Sequence, residues 1–189
     1  MSDDLIARGL DWQLYESDWE RAREDLERDV EISPNASLAH RAHAEYLIVA
    51  DPGAALDSAL RALALDPLSL PIMNLVAFNY MKQGRYAEAI QMDEEMLAME
   101  PGFAPAHWNM GVIHVRHGQV DEAIVDLGRA VEYSGGIPST RAVQAYAYGR
   151  SGNEGEALAI AAELADLRGS TDRGSASAVM SAYVYEGLG

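Results

Sequence analysis

Four alanines, Ala55, Ala89, Ala123 and Ala157, stand 34 residues apart, and the residues around them keep the same register. Gly84, Gly118 and Gly152 precede three of them by five positions, and Glu88, Glu122 and Glu156 by one. Twelve positions upstream run His43, Ala77, Gly111 and Ala145, while Pro67 and Pro101 close two units, with Gly135 in the next. A fixed period of this length, made of two segments with helical periodicity, allows one kind of fold. Each unit is a helix-turn-helix pair that cannot bury its apolar face alone, so the pairs must stack. The expected class is all-α, a solenoid of stacked repeats.

The columns carry their own physics. In "MKQGRY", "VRHGQV" and "GRSGNE" the glycine follows an apolar helix, where a left-handed residue lets the last carbonyls be capped. The alanines and the small residues of the first helices mark where two helix backbones must come close. His43 is oversized for that slot, which predicts local adjustment in its unit.

The stretches "MNLVAFNYMKQGRYAEAIQMDEEMLAMEP" and "WNMGVIHVRHGQVDEAIVDLGRAVEY" resemble the tetratricopeptide repeat family: small residue, aromatic, turn glycine, alanine and terminal proline in order. The resemblance runs over nearly the whole chain. It implies a right-handed α-solenoid whose concave wall, formed by the first helix of each pair, holds a protein or peptide without chemistry of its own. The pattern is also similar to repeat arrays attached to bacterial adenylate cyclase or winged-helix regulator domains. That likeness implies a second role, as the regulatory or substrate-docking arm of a larger protein whose effector domain lies before Met1.

Read as units, the chain is a single repeat domain: a divergent cap over 1–34, then repeats over 36–69, 70–103, 104–137 and 138–168. A polar linker over 169–174 leads to a terminal half-repeat helix over 175–189, whose Val179, Tyr183 and Tyr185 would favour self-association. In the first helices, steps of four, three and one residues put Asn74, Phe78, Met81 and Lys82 on one stripe. The same registers give Trp108, Val112, Val115 and Arg116, then Ala142, Tyr146, Gly149 and Arg150, and in the second unit His40, Ala44, Leu47 and Ile48. Lys82, Arg116 and Arg150 thus form a basic row that suits an acidic peptide or a free C-terminus. A cation before the turn glycine also suits the negative end of a helix, whatever the partner. Trp108 serves either as an interface anchor or as packing between units.

One subtype of the family grips the C-terminal carboxylate of chaperones. Here only Asn109 matches its registers, the others holding Ser37, His40, Ala44, Pro105 and Trp108, so that specificity is not expected.

Charge and composition exclude other classes. The 30 acids against 14 bases leave a net charge of −16, with Lys82 the sole lysine, which disfavours nucleic acid. Residues 1–34 hold 11 of the acids, read as a solvated face. There is no cysteine for disulfides or thiolate metal sites, which fits the cytoplasm, and no apolar run long enough for a membrane span. His40 and His43, like His114 and His117, lie three apart, but His114 falls in the column of Tyr46, Tyr80 and Tyr148 and no carboxylate completes a set. No metal, cofactor or catalytic residue is expected. The methionines Met73, Met81, Met92, Met96 and Met99 follow helical spacing and read as core.

Overall fold

In a computed structural model, residues 19–168 are described, and among them the secondary structure is helical without strands. The helices are α1 (Trp19–Ile32), α2 (Ser37–Ala50), α3 (Pro52–Leu65), α4 (Leu70–Lys82), α5 (Tyr86–Met99), α6 (Ala104–Arg116), α7 (Val120–Ser134), α8 (Pro138–Arg150) and α9 (Glu154–Arg168). They pair as first and second helices of the 34-residue repeat. Linker 169–174 and helix 175–189 lie outside the described residues, as does the beginning of the 1–34 cap.

The turn glycines do what their position predicts. Gly84, Gly118 and Gly152 have φ of 74°, 73° and 80°. At each, the following amide reaches back to a carbonyl five residues earlier: Arg85 to Tyr80 at 2.9 Å, Gln119 to His114 at 2.9 Å and Asn153 to Tyr148 at 3.0 Å. With the glycine's own amide bonded to Met81, Val115 or Gly149, the ending is a Schellman cap in all three repeats.

The second repeat solves the same turn differently. Asp51 ends α2 with its amide on Leu47 O at 2.8 Å, and its Oδ1 then accepts from Gly53 and Ala54 at 3.1 Å each to start α3. Pro52, whose missing N–H costs nothing at a first helical position, locks the start. Pro71, Pro105 and Pro138 likewise lie within the first two positions of α4, α6 and α8. Asp51→Ala removes both side-chain bonds and is expected to lower stability by about 1 kcal/mol, seen as a reduced midpoint in urea unfolding followed by circular dichroism.

Contacts divide the chain into two compact units, parted between Met92 and Asp93 within α5. In the first, α2 packs on α1, α3 and α4, and α3 on α4. Ala22 and Leu26 of α1 meet Ala42, Tyr46 and Leu47 of α2 and Ala55 of α3; Ala44, Leu56, Ala59, Leu75 and Val76 form the adjoining cluster. In the second, α6 packs on α7 and α8, α7 on α8, and α8 on α9. Its clusters centre on Ala123, Leu127 and Ala147, and on Ala142, Ala145, Ile160 and Leu164.

All four ladder alanines have zero exposure, as the need for close helix approach requires. In the small-residue column Gly111 leaves no room for a side chain, since an added Cβ would stand 2.6 Å from Leu127 Cγ. His43, oversized for the column, is half-buried with Nδ1 3.3 Å from Ser58 Oγ. Burial holds its imidazole below the ordinary value of 6.5, with Glu27 opposing and His40 assisting.

Candidate partner-binding surfaces

In the first unit the stripe on α4 is mixed. Asn74 and Phe78 are half-buried, Lys82 is exposed in the last turn, and Met81 is 8% exposed and faces the core. Helical spacing places Met81 beside Lys82, but the two lie 100° apart around the axis, enough to turn one inward. The α2 stripe is largely internal, with His40, Ala44 and Leu47 buried.

In the second unit α6 and α8 are neighbouring first helices in contact. Trp108 and Val115 both pack against the Ala123, Leu127 and Ala147 cluster, so the indole body is tied into the stack and half-buried rather than standing free. Val112 and Tyr146 are half-buried, and Arg116 and Arg150 are exposed in the last turns of α6 and α8. Each arginine therefore sits at the negative end of its helix, where a cation is stabilised by roughly 0.3–1 kcal/mol. Ala142 is buried in the cluster below.

The histidines are engaged in structure. His40 Nε2 lies 3.0 Å from Pro34 O, and His107 Nε2 3.0 Å from Pro101 O, each six residues from its proline. Facing a carbonyl, that nitrogen must carry the proton. The ring of His107 also stacks on Tyr133, centroids 5.6 Å apart. This Pro-to-His spacing recurs in the sequence and could have been found there.

His114, in a column otherwise tyrosine, has Nδ1 2.9 Å from Asp126 Oδ2, without hydrogen-bond alignment. His107 Nδ1 and Arg129 Nη1 approach Asp126 Oδ1 at 4.0 and 3.7 Å. In the repeats before and after, the corresponding pairs are Tyr80 with Met92 and Tyr148 with Ile160, each pair sharing a core cluster. Both columns turn polar in the same repeat, a signal that reading each column separately misses. Among the described residues no group of three His, Cys, Asp or Glu is placed to hold a metal ion.

Asn109, which alone matches the chaperone-tail subtype, is 2% exposed and donates from Nδ2 to Asp93 Oδ1 at 2.9 Å. Its amide points into the protein. Among the described residues no helix is long and apolar enough to cross a membrane.

Residues 80–136 match the family model of the tetratricopeptide repeat. No curated protein matches the chain. Among solved structures, it is similar to a thermophilic tetratricopeptide-repeat protein of Thermus thermophilus, with TM-score 0.80 and 21% identity over 98% of this chain and 100% of that one. PilF of Pseudomonas aeruginosa gives 0.74 and 21%, covering 98% of this chain and 85% of that one. MamA from Desulfovibrio magneticus gives 0.69 and 17%, covering 90% and 95%. At these identities the likeness establishes the fold. With the 34-residue register and the glycine caps in agreement, residues 80–136 match the tetratricopeptide repeat and the described residues share the helical-repeat fold of these solved structures.

Proposed function

We infer that this protein is a non-catalytic scaffold in the cytoplasm, whose second unit holds an extended segment of a partner protein against α6 and α8. The observation that carries this reading is the pairing of two contacting first helices, each with a half-buried apolar or aromatic residue, Val112 or Tyr146, and an exposed arginine at its end. Val112 and Tyr146, with Trp108 and Val115 beneath, offer apolar contact; Arg116 and Arg150 offer charge-assisted bonds to acidic side chains or a terminal carboxylate. Phe78 and Lys82 give the first unit a smaller surface of the same chemistry. Such a face serves equally when the repeats act as a docking arm within a larger protein.

Arg116→Ala combined with Arg150→Ala is expected to weaken acidic peptides selected from a library by about tenfold or more, since a bond to a charged group is worth about 1.5–3 kcal/mol. Both side chains are exposed, so the fold should survive. Fluorescence anisotropy at two salt concentrations reads the effect. Unchanged affinity in the double variant would remove the basis of the reading.

A further inference from the structure

The sequence column that holds Ala59, Leu127 and Ala161 holds an acid in the third repeat, Asp93. It has zero exposure. One oxygen, Oδ1, accepts the Asn109 amide at 2.9 Å; the other, Oδ2, is buried with no hydrogen-bond partner. Met96 on α5, and Ala106 and Ile113 on either side of Asn109 on α6, are fully buried as well. Among the described residues, the influences on its ionisation are burial first and the Asn109 amide second, with no charged side chain contributing.

A carboxylate in such surroundings has too few donors. It can stay neutral, or water must reach Oδ2, and water reaches it only if the helices part. Burial raises its pKa from 3.8 to about 8, so the neutral form prevails at neutral pH.

We propose that Asp93 and Asn109 form a proton-dependent latch between α5 and α6, closed while the carboxyl is neutral and opened locally when it ionises. The closed geometry favours the neutral form: with one amide on Oδ1, a neutral carboxyl leaves only an uncharged group unpaired at Oδ2, whereas that oxygen has no donor to hold a charge. The device is independent of what the protein binds.

Hydrogen exchange in the intact chain tests it, comparing amides of residues 93–113 with amides of α9 as an internal reference between pH 7 and 9.5. In the wild type the ratio of opening is expected to rise by up to about tenfold per pH unit below the midpoint, as the ionised fraction grows, and to level off above it. Asp93→Asn, which keeps an acceptor for Asn109, should flatten that rise, and Asp93→Leu, copying the residue of the fourth repeat, gives a second non-ionising form. A flat ratio in the wild type, or the same rise in the non-ionising variants, overturns the latch. So does a carbon-13 titration of the wild-type Asp93 carboxyl with a midpoint at its ordinary value, a measurement that needs no variant.

Discussion

Leu127→Ala is expected to cost about 2–5 kcal/mol of unfolding free energy, the range for emptying a fully buried leucine site. The more telling experiment pairs it with Gly111→Ala. In an exposed helix that change would stabilise by about 1 kcal/mol through propensity. Here the new methyl would stand 2.6 and 2.9 Å from two side-chain carbons of Leu127 and 3.3 Å from its backbone nitrogen. Overpacking of this kind costs about 1–3 kcal/mol and should outweigh the propensity gain, because the backbone nitrogen leaves little room to retreat. Each single variant is therefore destabilised, for opposite reasons.

In the double variant the two faults offset one another. Alanine at both positions reproduces the fifth repeat, where Ala145 and Ala161 share one cluster. The expected coupling is about 0.5–3 kcal/mol in favour of the pair, typical of residues in direct contact. Urea unfolding of the four proteins measures it. Strict additivity would mean that Leu127 relaxes away from the glycine, and that the small column is not where the helices are pinned.

Most of the architecture was legible because repetition averages over local ambiguity. One glycine after an apolar run is weak; three at a constant spacing, each five residues before a buried alanine, fix helix ends and helix contacts together. The second repeat shows the limit. Its turn uses Asp51 and Pro52 in place of the glycine, a local side-chain solution that shares chemistry but not identity with the column. The stripes were less legible, since a register says which residues share a helical face but not how deep the neighbouring helix covers it. That is why Met81 lies inside while Lys82, next in sequence, lies outside. Polar residues at apolar registers were the least legible. Asp93, Asp126 and His114 make sense only with the residue across the helix pair, which a column read alone does not contain.

Asp93→Asn should make the protein more stable at neutral and alkaline pH, and the gain should vanish in acid. The sign follows from proton binding. The unfolded chain releases the Asp93 proton near its ordinary 3.8, whereas the folded chain keeps it until about 8. Between those values the folded state binds more protons, so wild-type stability falls as pH rises, by at most about 1.4 kcal/mol per pH unit from this group, and levels off above the folded value. Asparagine has no such dependence and still offers Asn109 an acceptor, so the difference between variant and wild type should grow from near zero at pH 4 to a few kcal/mol at pH 8. The other carboxylates titrate in both proteins and cancel in the comparison. Leucine at the same site would escape the ionisation too, but would deprive the Asn109 amide of its bond to residue 93, so it should gain less than asparagine. Urea midpoints at pH 4, 6, 8 and 9 test both orderings, and parallel profiles for wild type and Asp93→Asn would show that the buried acid is already hydrated in the folded protein.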